Sequence, residues 1–223
     1  MARNEVKLKE LADELRVQVE VLPADLCDPE QLASVEARLA DAERPVDVLV
    51  NNAGAGTKGP FAEQDRAVLD NEVALDVIAV MRLMRAAVPG MIERGSGGIL
   101  NVASIAAFQG GPGNAVYSAS KAFVLSLSEA VHEEVKGTGV RVTVVCPGAT
   151  RTEFQQRGGF DGGQVPDFLW ETPEEVADKA LKALARNQAV YTSGFLNKLG
   201  AVSAHLAPRV VSRKLSARVT NHI

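Results

Sequence analysis

The sequence predicts an α/β fold: a doubly wound parallel sheet with helices on both faces. Three observations predict it. Short apolar runs alternate with longer segments of helical periodicity, the pattern of parallel strands joined by crossover helices. The runs at 46–51, 98–103 and 140–146 are rich in Val, Ile and Leu, as strands covered on both faces require. Asp25, Asn52, Ser104 and Pro147 all fall where a strand ends, and ligands of such sheets bind past the carboxyl ends of the strands.

In chain order, residues 5–15 carry Val6, Leu8, Leu11, Ala12 and Leu15 at helical spacing and predict an amphipathic helix. Residues 17–23 alternate apolar and polar and predict a short strand. Asp28 caps the next helix and Pro29 takes its first position, where an amide hydrogen would have no partner anyway. That helix runs to about Glu43, and 46–51 is the next strand. A long helical pattern covers about 63–94, with a break expected at Pro89-Gly90. The strand at 98–103 follows, then a helix from about Ala115 that ends at Gly137-Thr138-Gly139. Residues 140–146 form a strand closed by Pro147-Gly148. Thr172-Pro173-Glu174-Glu175 caps a helix through about Arg186, and 189–192 is a last short strand.

The 223 residues are 46% hydrophobic and 23% charged, which suits one domain with a sizeable core. We divide the chain into that domain, 1–192, and a basic amphipathic tail, 193–223. The net charge of −4 gives no general signal for nucleic acid. Cys27 and Cys146 stand in no metal or redox spacing and read as reduced thiols of a cytoplasmic protein. His132, His205 and His222 are scattered, and no metal site is expected. No apolar run reaches spanning length, and the first residues are charged rather than leader-like.

The chemistry concentrates between Asn101 and Lys121. Ser104 sits where a strand ends, and a Gly/Pro-rich loop, 109–114, follows it. Tyr117 and Lys121 then lie four apart at a helix start, so their side chains share a face. A phenol beside an ammonium is an acid/base pair, because a nearby cation favours the phenolate. Bringing a phenol from about 10 to near 7 takes roughly 4 kcal/mol of differential stabilisation. A charge about 4 Å away at low effective dielectric can supply that. A serine hydroxyl at the neighbouring strand end could hold a carbonyl or alcohol oxygen. Alone, a Tyr-x-x-x-Lys pair is common on exposed helices; the order of strand, serine, glycine loop and helix singles this one out.

Asn51-Asn52-Ala53-Gly54, Ser104, Tyr117-x-x-x-Lys121 and Pro147-Gly148-x-x-x-Thr152 resemble, in order and spacing, the motifs of the classical short-chain dehydrogenase/reductase family. The resemblance runs from about residue 3 to about 192 and implies a Rossmann-like sheet. It implies that Ser104 orients the substrate oxygen and Tyr117 passes the proton. Lys121 would lower the pKa of Tyr117 and hold the nicotinamide ribose. It also implies that Asn52, Ala53 and Gly54 line the cofactor and that Asp25, beside Leu26, bonds the adenine amino group. Pro147, Gly148, Thr150 and Thr152 would hold the carboxamide. In the family, a basic residue just after the second strand favours the 2′-phosphate of NADP. Arg3 is of that type, and a guanidinium suits a phosphate. The implied function is NADP-dependent hydride transfer, NADP in preference to NAD, between a carbonyl and an alcohol of a small apolar substrate. The alternative is a relic that keeps these positions but acts through oligomer or partner contacts. A lyase or epimerase on the same fold is a third reading.

Two departures from the family pattern shape further expectations. The sequence opens at what resembles the residue after the family's second strand, so the sheet is expected to be N-terminally incomplete. A βαβ opening of roughly thirty residues, with its glycine-rich phosphate loop, is not in the sequence. In the family those two strands lie between 18–23 and 46–51, a gap of about 14 Å. Either the two elements pair directly, or an oligomer fills the gap, or Met1 stands for an internal valine start codon; we expect the last. Second, counting back from Pro89-Gly90-Met91, the family's helix asparagine falls at Asp76. An ionised Asp76 near Lys121 would partly cancel the field that activates Tyr117.

Phe154, Phe160, Phe168 and Trp170, interleaved with glycines, suggest a lid over an apolar substrate or a loop pinned by its own aromatics. No acidic residue follows Asp178, whereas eight basic ones do. Phe195, Leu199, Val202 and Leu206 share a helical face in that tail. We expect a terminal helix docked on its own domain or a homo-oligomer contact, in preference to a membrane surface.

Overall fold

The sheet has four parallel strands in the order β1-β2-β3-β4: Val48–Asn51, Gly97–Val102, Val140–Cys146 and Val190–Thr192. This computed structural model describes residues 1–152, 154 and 166–194. Phe160 with its neighbouring glycines, and the tail from 195 onward, lie outside those residues. The helices are α1 (Glu5–Glu14), α2 (Pro29–Leu39), α3 (Arg66–Val73), α4 (Val80–Glu93), α5 (Ala115–Glu134) and α6 (Pro173–Ala185).

Alternation along the strands divides the core between two faces. Ile99, Val142 and Val144 join Leu83, Met84 and Met91 of α4 and Val124 and Leu125 of α5. Leu100 and Val145 turn the other way, onto Ala180 and Leu184 of α6. A buried polar chain crosses the first layer. Asn51 Nδ2 donates to Asn101 Oδ1 (2.8 Å), and Asn101 Nδ2 donates to Ser128 Oγ (2.8 Å). It ties β1, β2 and α5 into one block with its polar groups matched. The turn after α5 needs glycine: at Gly139, φ is +84° and a Cβ would sit 1.9 Å from the Gly95 carbonyl oxygen.

Two expectations need correction. Residues 17–23 form no strand. Pro23 makes one isolated parallel bridge to Ala2, and Ala24 N–H donates to Ala2 O (3.1 Å). Alternation makes a strand only where an edge is available to pair. Among the described residues β1 pairs with β2 alone, so direct pairing of 17–23 with β1 does not occur. Second, the helical run 63–94 is not broken at Pro89. The α4 helix continues through it, because Leu83, Met84, Ala87 and Met91 are buried along one stripe. That packing outweighs the local cost of about 3 kcal/mol. The irregularity comes earlier, as a π turn at Ala74–Ala79 between α3 and α4, with Asp76 and Ala79 buried. The helix expected over 5–15 forms as α1, capped by Asn4, and it buries no residue.

Candidate active site

The carboxyl end of β2 delivers Ser104, which caps a short 3-10 turn, Ile105–Phe108, by accepting from Ala106 N–H (3.1 Å). Asn114 precedes α5, whose first turns bury Tyr117 and Lys121 on the face toward the sheet. Ser104 acts on the Tyr117 phenol, pulling its pKa down, and the Tyr117 ring stacks at a tilt on Phe154, centroids 5.7 Å apart. Lys121 Nζ lies 5.6 Å from the Tyr117 ring centroid. These three residues thus meet as the spacing implied.

The electrostatics differ from the expectation. Lys121 Nζ stands 2.9 Å from Asp76 Oδ2, both side chains almost fully buried, and reaches Val102 O at 3.4 Å. Asp76 Oδ1 also accepts from Ala55 N–H (2.8 Å). Burial pushes the Asp76 carboxyl above its usual range, against the pull of Lys121 and the Ala55 amide. The Tyr117 phenol is pushed up to about 12, chiefly by burial; Ser104 pulls it down, while Asp76 and Glu72 push it further. The phenol is therefore not lowered by Lys121 in this state. The ammonium is paired with a carboxylate, and a paired charge exerts little field beyond its partner.

Two residues outside the sequence argument join the site. Glu72 is 1% exposed, and Thr57 Oγ1 donates to its Oε2 (2.7 Å). Burial raises the Glu72 carboxyl as well. Glu72 lies four residues before Asp76, so helical spacing alone could have placed it on the same face.

The remaining candidates fall into two groups. Gly54 packs into the site: a Cβ there would lie 3.1 Å from Lys121 Nζ and 3.3 Å from Asp76 Oδ1. Asn52 and Ala53, just past β1, are exposed. Pro147 and Gly148 follow β3; Pro147 O accepts from Ile105 N–H (3.0 Å) and Ser193 Oγ from Gly148 N–H (3.1 Å). Thr150 forms a bridge with Glu171, and Thr152 is exposed. This group stands at the carboxyl ends of β1, β2 and β3, with the bare backbone of Gly54 packed against Lys121 and Asp76. The second group is apart from it. Arg3 approaches Asp25 at 3.8 Å with 74% of its side chain exposed, and Leu26 is buried. A guanidinium and a carboxylate side by side suit the phosphate and the amino group of an adenosine 2′-phosphate. The residues present thus fit both ends of a nicotinamide dinucleotide. Among the described residues no group of three metal-ligating side chains occurs, and no helix is long and apolar enough to cross a membrane.

Comparison with known proteins follows the same lines. The family model described as short chain dehydrogenase matches residues 1–159. The chain is 34% identical over 208 residues to the ketoacyl reductase HetN of Nostoc sp., covering 86% of this chain and 69% of that one. It is 37% identical over 185 residues to sulfoacetaldehyde reductase 2 of Chromohalobacter salexigens, covering 80% and 73%. Among solved structures, a short-chain dehydrogenase from Sphingobium yanoikuyae in complex with NADPH superposes with a TM-score of 0.82 at 35% identity, covering 91% of this chain and 80% of that one.

Proposed function

The chain belongs to the short-chain dehydrogenase family, and we propose that within this family of NAD(P)-linked oxidoreductases it is an NADP-dependent reductase of a carbonyl on a small, largely apolar substrate. The observation that carries this reading is the meeting of Ser104, Tyr117 and Lys121 beside the bare backbone of Gly54. When bound, the dinucleotide would supply the hydride. The chain's own residues would handle the oxygen and its proton. Ser104 would hold the carbonyl oxygen within reach of Tyr117. A phenol held at about 12 keeps its proton at neutral pH, which suits donation to an oxygen that gains charge as the carbonyl is reduced. Lys121 has three N–H donors. Asp76 and Val102 O take two directions, leaving one for a ribose hydroxyl. Arg3 supports NADP over NAD through the 2′-phosphate, and Asp25 would face the adenine.

Self-association is part of the same proposal. Phe61, Val73, Val77, Val116 and Phe123 line an apolar groove between the α3 region and a face of α5 distinct from that of Tyr117 and Lys121. A second copy would cover it.

Titration of the 223-residue chain with NADPH and NADH, followed by turnover over a panel of ketones and aldehydes, tests the reading. NADPH is expected to saturate at lower concentration than NADH, and Tyr117→Phe to cut turnover by about 10²–10⁴-fold while binding persists. Absence of saturable binding up to millimolar dinucleotide would favour a protein that works through contacts instead.

A further inference from the structure

Glu72 is a buried acid that the proposed chemistry leaves without a task. It lies in the last turn of α3 and is 1% exposed. Its Oε2 accepts from Thr57 Oγ1 (2.7 Å), and its Oε1, also buried, has no hydrogen-bond partner. A buried carboxyl with a single neutral donor destabilises a fold, because burial strips its water and one hydroxyl replaces little of it. Two apolar side chains of similar shape would pack there at little or no loss of stability. The pair is therefore explained by what it holds in place, not by what it adds to the core.

It holds the loop after β1. Asn52 and Ala53 are exposed, so the backbone that would face the coenzyme is steadied by the residues that follow. Three of these are fastened, at every second position. Ala55 N–H donates to Asp76 Oδ1 (2.8 Å) on the π turn. Thr57 Oγ1 donates to Glu72 on α3. Gly59 N–H donates to Gly113 O (2.7 Å) in the loop that leads into α5. Gly54, one residue before the first of these, packs against Lys121. Thr57 is the middle fastening, and its bond to Glu72 is the one that ties this loop to α3.

We propose that Glu72 is a coenzyme-positioning residue: through Thr57 it holds the loop 52–59 in the form that receives the nicotinamide end of NADP. The inference rests on NADP binding beside Gly54, as proposed for this chain. A loop already ordered in the free protein need not be ordered by the coenzyme, which raises affinity. The apparent Kd scales inversely with the fraction of molecules whose loop is in place. A fall in that fraction to about one tenth weakens binding about tenfold.

The double variant Thr57→Val/Glu72→Leu removes the hydrogen bond and leaves neither partner unmatched. Its melting temperature should equal or exceed that of the parent. Its Kd and KM for NADPH should rise about tenfold, with the loss falling there in preference to kcat at saturating coenzyme. In the full chain without dinucleotide, hydrogen exchange at the Ala55 and Gly59 amides should quicken. Thr57→Ser, which keeps the hydroxyl, should restore most of the NADPH affinity. An NADPH Kd that the double variant leaves unchanged overturns the proposal, and so does exchange that stays as in the parent. A loss of affinity matched by a fall in melting temperature overturns it too, since a merely structural pair would give that result. A parent chain that does not take up NADPH removes the premise, and the proposal with it, but leaves the exchange result in place, so the two failures are told apart.

Discussion

At the carboxyl end of β2, Asp76, Tyr117 and Lys121 are buried and bonded across the π turn, α5, β2 and the loop after β1. On the outer side of β1 the arrangement is looser. Arg3 and Asp25 meet through one exposed ion pair at 3.8 Å, and α1 buries nothing. Both regions carry residues of the same motif set, so motif identity alone does not tell how firmly a residue is placed. Placement at the acid/base end comes from the core beneath it. At Arg3 and Asp25, the proposed adenosine end, it rests on surface contacts, and exposed ion pairs contribute only about 0–1 kcal/mol. Coenzyme preference should therefore be easier to alter by substitution than proton chemistry.

The contrast breaks most sharply in stability. Asn101→Ala removes the centre of the buried chain from Asn51 to Ser128 and leaves the Asn51 amide without its acceptor, while Ser128 Oγ keeps Val124 O. We expect a loss of about 2–4 kcal/mol in urea denaturation, with turnover falling alongside. Leu11→Ser on α1 should change stability by less than about 0.5 kcal/mol. Equal losses from the two substitutions would mean that α1 is packed in solution and that the two regions do not differ.

A smaller effect sharpens the account of the site. Asp76→Asn keeps an acceptor for Ala55 N–H but frees Lys121 from its 2.9 Å partner. The Tyr117 phenol loses one of the groups that raise it. Turnover should rise about threefold to tenfold, with the phenol ionising at lower pH. Stability should respond as well. Asp76 and Glu72 are both raised by burial, so the folded state holds protons that the unfolded chain releases above about pH 4. Their contribution is present below that value and is lost as pH rises through the folded values. Asp76→Asn removes one of the two groups, so denaturation midpoints at pH 5 and pH 8 should lie closer together than in the parent. An unchanged or wider spacing would show that Asp76 is not a raised acid.

Much of the sheet was readable because β2 and β3 are nearly continuous apolar runs, buried on both faces. The Ser104-Tyr117-Lys121 arrangement was readable because a helix turns spacing into a shared face. The π turn was not, since a change of pitch over six residues leaves the apolar pattern of 63–94 looking continuous. Pro89 misled because a local cost is visible in sequence and the packing that outweighs it is not. Residues 17–23 misled for the opposite reason: alternation records a preference for pairing, not a partner. Glu72 was within reach through its spacing from Asp76. The direction of the Tyr117 shift was not, because it depends on how burial, Asp76, Glu72 and Ser104 compete, which spacing to Lys121 cannot reveal.

The smallest expected effect tests the outer side of β1 itself. Val48 and Val50 are 47% and 48% exposed, on the face opposite to buried Leu49. A Val50→Lys substitution places a charge in that open position. Its stability should move by less than about 0.5 kcal/mol, whereas Leu49→Lys should prevent folding by placing an unpaired ammonium in the core. Light scattering should fall for Val50→Lys, because an exposed apolar strand edge is a template for pairing with other chains and lysine blunts it. If Val50→Lys instead costs as much as about 2 kcal/mol, something covers this face in solution, and the adenosine end is held as firmly as the acid/base end. Stability and scattering thus read the same residue from two sides: one reports whether the face is covered, the other whether it is covered by copies of the chain.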